Sequence, residues 1–76
     1  MSEIRTLDKL RPGQKAVVRK VGGQGALRRR LMDMGVVSGV EIELIKAAPL
    51  GDPLEYRLRG YHLSLRKAEA GQIEVG

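Results

Sequence analysis

Three short segments between residues 40 and 66 alternate apolar and polar residues with the two-residue period of a β-strand, at 40–44, 54–58 and 61–66. Arg59 and Gly60 separate the last two segments, and a two-residue loop of this kind is typical of a β-hairpin. The apolar residues then share one face, in the pairs Leu54–Leu65, Tyr56–Leu63 and Leu58–Tyr61. If the hairpin turn lay at Gly60 and Tyr61 instead, the pairing would shift but the same residues would still share one face. The pattern predicts a mainly β protein.

The rest of the chain adds two strands and two helical segments to this hairpin. We predict strands at 14–21 and 72–75, although the pattern leaves open which of Val17 and Val18 faces inward. Leu27, Leu31 and Met34 form one stripe of a helix over 24–34, and Gly35 follows where a left-handed C-terminal cap is expected. A helical turn is predicted at 67–70, and residues 1–6 are expected to form a short tail.

The length of 76 residues indicates one domain, 1–76, which buries only about 60% of its unfolded surface. The core must be simple, and a binding surface is expected rather than a deep pocket. Because the chain has no cysteine, disulfides, thiolate metal sites and cysteine nucleophiles are excluded, and we expect a cytoplasmic protein. The N-terminus lacks a signal peptide, and no segment approaches the ~20 apolar residues of a membrane span, so membrane association is expected only through a partner.

The chemistry-bearing residues do not converge in the sequence. His62 is the one histidine, with Glu55 beside it on the same predicted face, and the acidic residues are scattered. We therefore expect no catalytic residues, no metal site and no cofactor. Both tyrosines fall on the inward face of the predicted hairpin, which leaves no exposed stacking platform for nucleic acid and no aromatic groove for proline-rich peptides.

The net charge of +5 is compatible with an acidic partner, an anionic membrane surface or a nucleic acid, and equally with a simply solvated surface. We predict two basic patches, one on the helix at Arg28, Arg29 and Arg30 and one on the outer face of the hairpin at Arg57, Arg59 and Arg66. Charges of this kind change the rate and specificity of association more than affinity.

Two runs, L-M-D-M-G-V-V-S-G-V-E-I-E-L and A-P-L-G-D-P-L-E-Y-R-L-R-G-Y-H-L-S-L-R, together resemble the FeoA family over nearly the whole chain. The three consecutive arginines at 28–30 depart from that resemblance, because they make the helix unusually basic. The resemblance implies a small, partly open, five-stranded SH3-like barrel with one inserted helix. It also implies an accessory role in bacterial ferrous iron uptake, through docking on the cytoplasmic, G-protein-containing part of the ferrous iron permease.

Two alternatives remain from the sequence. The same barrel resembles the C-terminal domain of iron-dependent repressors, although Met1 opens the chain directly at the barrel and leaves no helix-turn-helix. A basic nucleic-acid-binding barrel is the other alternative. The sequence leaves the oligomeric state open, since an exposed barrel edge can pair between copies.

The loop between the second and third strands is the predicted docking element. Pro49 and Pro53 stiffen it on both sides, and Gly51 permits a sharp reversal that directs Leu50 outward. The alternative is that Leu50 folds back to close the end of the barrel. The predicted partner-binding residues are Pro49, Leu50, Gly51, Asp52, Arg57, Arg59, Arg66, Arg28 and Arg29.

Overall fold

The described part of the chain is built mainly from antiparallel strands. A computed structural model describes residues 5–76. These residues form the strands β1 (Arg5–Thr6), β2 (Lys15–Val21), β3 (Glu41–Ala47), β4 (Leu54–Leu58), β5 (Tyr61–Leu65) and β6 (Ile73–Val75). The helices are α1 (Gly25–Asp33) and the single-turn α2 (Lys67–Ala70), and a 3-10 turn covers Leu7–Lys9. The strand order β1-β6-β2-β3-β4-β5 makes one sheet, which confirms the mainly β prediction with one strand more than expected.

The extra strand, β1, corrects the prediction of a tail. Arg5 pairs with Val75 and Thr6 pairs with Glu74, so these two residues belong to the sheet. The tail prediction is wrong for them because the partner strand lies at the other end of the chain, where no local pattern reveals it. Residues 1–4 of the predicted tail lie outside the described residues.

The β4–β5 hairpin has the predicted register. Leu54, Tyr56 and Leu58 lie opposite Leu65, Leu63 and Tyr61, in that order. Arg59 has a φ of 50° and Gly60 a φ of 84°, the positive values that a tight two-residue hairpin turn requires. Tyr56 is buried as predicted, but the inward prediction is wrong for Tyr61, which is 43% exposed. Tyr61 lies at the turn, where the sheet ends, and its hydroxyl donates to the carbonyl of Met34.

Helix α1 ends where the sequence predicts. Gly35 has a φ of 93°, its N–H donates to the Met32 carbonyl at 3.0 Å, and the Val36 N–H donates to the Leu31 carbonyl at 3.0 Å. This pair of bonds is a Schellman motif, and Leu31 and Val36 are both fully buried, which is its usual apolar contact. An added Cβ at Gly35 would lie 2.6 Å from the Tyr61 hydroxyl oxygen, so space as well as backbone geometry requires glycine.

The core lies between the curved sheet and α1. Val18 is fully buried whereas Val17 is 37% exposed, which answers the question that the strand pattern left open. Leu27 and Met34 pack against the core beside the buried Leu31, so the predicted helical stripe is confirmed. The largest fully buried side chains are Tyr56, Leu7, Leu31, Ile42, Leu58, Leu65, Ile73, Val18 and Val36.

Candidate functional site

The loop between β3 and β4 is a rigid turn held by its own backbone. The Gly51 N–H donates to the Ala48 carbonyl at 2.7 Å, and the Ala48 N–H donates to the Pro53 carbonyl at 3.0 Å. Pro49 occupies the second position of the turn, where its fixed φ is favourable, and Gly51 takes a φ of 87°. The Asp52–Pro53 peptide bond is cis.

Leu50 occupies the tip of this turn and is 96% exposed. The alternative in which Leu50 folds back onto the barrel is therefore wrong. Pro49 is also exposed, whereas Gly51 is half-buried beneath the tip. Among the large hydrophobic residues of the described chain, Leu50 is the most exposed. Its side chain lies almost fully in water on a stiff turn.

Asp52 fastens the base of the loop to another element. Its carboxylate accepts a hydrogen bond of 2.9 Å from the backbone N–H of Lys67, the first residue of α2. The N–H groups of a helical first turn have no partner within the helix, so this bond satisfies one of them. Asp52 therefore holds the loop in place, a contact that sequence reasoning missed because the two residues lie fifteen positions apart.

The arginines of the hairpin do not form the single patch that we predicted. Arg57 pairs with Glu43 across the sheet at 2.7 Å, and Arg57 and Arg59 line a shallow groove of about 230 Å³ at the turn end of the hairpin. Arg66 follows β5 at the opposite end, directly before α2. Since Asp52 contacts the neighbouring Lys67, Arg66 lies beside the β3–β4 loop.

The arginines of helix α1 have three different surroundings. The Arg28 side chain donates through Nε to the Val21 carbonyl at 3.2 Å. Arg30 pairs with Glu69 of α2 and so links the two helices. Arg29 is exposed, and no ion pair among residues 5–76 includes it. Arg28 and Arg30 therefore contact other parts of the fold, whereas Arg29 is accessible to a partner.

His62 lies beside one carboxylate. Its Nδ1 is 3.5 Å from Oε1 of Glu55, whose other oxygen is 4.0 Å from the Lys46 ammonium. Within residues 5–76 no three His, Cys, Asp or Glu side chains converge as metal ligands would. This part of the surface is a small network of exposed charges.

Tyr56 is a titratable group inside the core. Its hydroxyl donates to the Leu7 carbonyl at 3.2 Å inside the core. Burial, and to a smaller degree the nearby Asp8 carboxylate, raises the pKa of Tyr56 above that of a free phenol. A phenol kept neutral and hydrogen-bonded in the core has a structural role.

Strand β2 carries two basic residues whose placement the alternating pattern does not reveal. The register between β2 and β6 shifts between Val18 and Lys20, which is a β-bulge, and both Arg19 and Lys20 are exposed as a result. Strict alternation from the buried Ala16 and Val18 would have turned Lys20 inward. The charged residue at an inward position is the signal in the sequence that could have indicated the bulge.

These features define a small antiparallel barrel with an exposed apolar loop and distributed charge, the SH3-like class. The structure of Stenotrophomonas maltophilia FeoA complexed with zinc, described as a procaryotic SH3 domain protein, matches with a TM-score of 0.84 and 32% identity, over 95% of this chain and 89% of that one. The sequence model of the protein family described as 'FeoA domain' matches residues 5–76 of this chain. The chain therefore belongs to the FeoA family.

Two relatives show the extent of the similarity. The FeoA-like protein from Clostridium acetobutylicum is 43% identical with a TM-score of 0.89, over 100% of this chain and 88% of that one. The Fe(2+) transport protein A/Fe(2+) transporter FeoB fusion protein of Porphyromonas gingivalis (strain ATCC BAA-308 / W83) is 44% identical over 69 residues, which is 91% of this chain but 8% of the fusion protein. The chain thus spans a small part of that relative.

A manganese-dependent transcriptional repressor complexed with manganese matches with a TM-score of 0.88 but only 15% identity, over 37% of its chain. That similarity shows the fold alone. No helix within residues 5–76 has the length and apolarity needed to cross a membrane.

Proposed function

We propose that this protein is a non-enzymatic, cytoplasmic accessory protein of bacterial ferrous iron uptake that docks on the cytoplasmic, G-protein-containing part of the ferrous iron permease. The observation that carries the proposal is the fusion protein, in which a segment 44% identical to this chain is joined to the transporter FeoB. Two proteins fused in one organism are held together in space, so a separate copy of the smaller one is expected to bind the larger. Membrane association then occurs through the permease.

The β3–β4 loop, residues 48–53, is the docking element in this proposal. Leu50 presents an apolar side chain at a tip that two backbone hydrogen bonds and the Asp52–Lys67 bond already hold. Little conformational entropy is lost when a rigid turn binds, so more of the burial energy contributes to affinity. Burying one leucine contributes roughly 1.5–3 kcal/mol, which is about 10- to 100-fold in affinity.

The surrounding charge supports an acidic docking surface on the partner. Arg66 lies beside the loop and Arg59 lies at the far end of the hairpin, and neither belongs to an ion pair among residues 5–76. Exposed unpaired cations attract an acidic surface during approach and orient it. Leu50 would then supply affinity, while the arginines would supply rate and specificity.

Titration of the protein against the permease's cytosolic domain tests the proposal. We expect saturable binding that depends on whether the G-protein domain holds GDP or a GTP analogue, and no comparable binding to duplex DNA. Binding to DNA with none to the permease domain would overturn the proposal and favour a regulatory, nucleic-acid-associated role. Absence of binding to either would also contradict it.

A further inference from the structure

A groove with an apolar lining runs beside helix α1, away from the residues of the β3–β4 loop. Its apolar lining consists of Val21, Met32 and Val37, and its volume is about 280 Å³. Met32 is 40% exposed, although it is a large apolar residue in the last turn of α1. Apolar surface that charged residues surround is typical of sites that contact another protein. We call this feature the α1 groove.

The charged lining of the α1 groove has one sign. It consists of Arg19, Lys20 and Arg28, and no carboxylate of the described chain lines the groove. None of the three cations takes part in an ion pair among residues 5–76. The groove at the hairpin turn is different, since Glu41 and Glu43 line it together with Arg57. The α1 groove thus differs from the groove at the hairpin turn in having no carboxylate among its lining residues. Two neighbouring carboxylates lie outside its lining, at Glu74, which is opposite Lys20 in the β2–β6 register, and at Asp33, which lines the adjoining groove.

Two backbone contacts place these cations. The bulge in β2 turns Lys20 outward beside Arg19, and the Ser38 hydroxyl donates to the Arg19 carbonyl at 3.1 Å. The Arg28 side chain is held by its bond to the Val21 carbonyl. Bulges commonly re-aim side chains at binding sites, and a cation that is already held, as Arg28 is, loses less entropy when a ligand binds.

We propose that the α1 groove binds an acidic segment of a partner polypeptide that carries one large apolar side chain between Asp or Glu residues. The apolar residue would contact Met32 and Val37, and the carboxylates would pair with Arg19, Lys20 and Arg28. The volume of about 280 Å³ lies at the lower limit of the ~300–1,000 Å³ of small-molecule pockets and is large enough for one apolar side chain. Nucleic acid fits less well, because the groove has no aromatic side chain on which a base can stack.

This contact is separate from docking through Leu50 and does not require the permease to be the partner. Its test therefore uses synthetic peptides and not the permease domain. We would titrate the isotopically labelled protein with a short peptide in which one Leu is flanked on both sides by Glu, and follow the backbone amides by NMR. The expected result is a saturable shift at residues 19–21, 28–32 and 37–38, with a Kd on the order of 0.1–1 mM.

Variants of single residues test the apolar lining and the charged lining of the groove separately. Met32→Ser, and Met32→Gln as a second variant should the first unfold, is expected to weaken peptide binding about tenfold. Lys20→Glu is expected to weaken binding of the acidic peptide strongly, because the introduced carboxylate repels the peptide and offsets part of the charge of Arg19 and Arg28. Leu50→Ser and Lys67→Glu, which change apolar surface and charge elsewhere, are expected to bind like the native protein.

Several results would overturn the inference. The first is the absence of amide shifts at millimolar peptide, or shifts confined to other residues. Equal binding of a peptide with Ser in place of Leu would mean that only charge is recognised. Tighter binding of single-stranded DNA or of phosphatidylglycerol vesicles at the same amides would assign the groove to phosphate and not to an acidic protein segment.

Discussion

At the scale of single residues, Leu50 and Tyr56 show opposite uses of a large side chain in so small a barrel. Leu50 is 96% exposed at the tip of a stiff turn, while Tyr56 is fully buried and donates to the Leu7 carbonyl. The Leu50 side chain therefore contributes little to the stability of the fold. The Tyr56 side chain fills the core and donates to a buried carbonyl that also accepts a hydrogen bond from the Leu10 N–H. Substitution should therefore affect binding at one position and stability at the other.

Replacing Leu50 with Ser should weaken binding to the permease's cytosolic domain by about 10- to 100-fold and leave the melting temperature unchanged. The physical reason is that the side chain is exposed in the free protein and would become buried in the complex. Calorimetric titration and thermal unfolding measure the two effects. Leu50→Met, which keeps the apolar surface, should bind like the native protein. A lower melting temperature with full binding would place Leu50 in the core.

Replacing Tyr56 with Phe should lower the free energy of unfolding by about 0.5–1.5 kcal/mol, because the Leu7 carbonyl loses one of its two donors and keeps the Leu10 N–H at 3.3 Å. For a domain of this size the melting temperature falls about 4–8 °C for each kcal/mol. Tyr61→Phe is the matched control, since Tyr61 is 43% exposed and water can replace its hydroxyl. An equal effect of both substitutions would contradict a special role for the buried bond.

The raised pKa of Tyr56 also predicts a dependence of stability on pH. In the unfolded chain the phenol ionises near its usual pKa of about 10, whereas in the folded chain it keeps its proton to higher pH. The contribution to stability is complete below pH ~10 and is lost as the pH rises further, by at most about 1.4 kcal/mol per pH unit. Chemical denaturation at alkaline pH should show this loss in the native protein and a smaller one in Tyr56→Phe.

At the scale of elements, the β3–β4 loop and α2 behave as one unit because Asp52 joins them. Its carboxylate bonds to the Lys67 N–H at 2.9 Å, and the Arg66 N–H in turn donates to Oε1 of Glu69 at 2.8 Å. Glu69 also pairs with Arg30, so the connection continues to α1. The β3–β4 loop is thus braced by a chain of polar contacts that local periodicity does not encode.

Asp52→Ala should lower the free energy of unfolding by about 0.5–2 kcal/mol, because a helical N–H loses its acceptor. The loop should also become more mobile, so partner binding should weaken although Asp52 itself makes no apolar contact. Amide hydrogen exchange at Lys67 measures the local effect. Asp52→Asn keeps an acceptor oxygen and should restore most of the protection. Unchanged exchange at Lys67 in Asp52→Ala would show that the bond contributes little.

The hairpin arginines should differ in their effect on association. Arg59→Gln and Arg66→Gln together should slow binding to the permease domain by up to about 10-fold at low salt and reduce its salt dependence. Arg57→Gln should have less effect, because Glu43 already neutralises Arg57 at 2.7 Å. Association rates measured at several salt concentrations give the comparison. Equal association rates for all folded variants would mean that these arginines are solvated and do not influence association.

At the scale of the whole molecule, no three His, Cys, Asp or Glu side chains of the described residues converge as metal ligands would. We predict that the protein does not bind ferrous iron stoichiometrically with sub-micromolar affinity, because His62 has only Glu55 within reach, at 3.5 Å. Anaerobic calorimetry is the measurement, with His62→Ala as the comparison. Tight one-to-one binding that His62→Ala abolishes would contradict this prediction and give the protein a direct part in handling iron.

Sequence reasoning succeeded where neighbouring residues carry the information. The hairpin register follows from alternation and a two-residue turn, and the end of α1 at Gly35 follows from helical spacing and a residue that tolerates positive φ. The exposure of Leu50 was one of two alternatives that the sequence allowed. Only the path of the whole chain distinguishes them, because whether the loop reaches back to the barrel depends on β3, β4 and α2 together.

The sequence by itself determined the register of the β4–β5 hairpin, the stripe of α1 and the stiffness of the β3–β4 loop, because each depends on backbone preferences of adjacent residues. Tertiary structure alone decided the pairing of β1 with β6, the bulge that turns Lys20 outward, the bond from Asp52 to α2 and the separation of Arg57 from Arg66. Each of these joins or separates residues far apart in the chain. Such contacts form only when burial of the common core brings the segments together, and no local pattern specifies them.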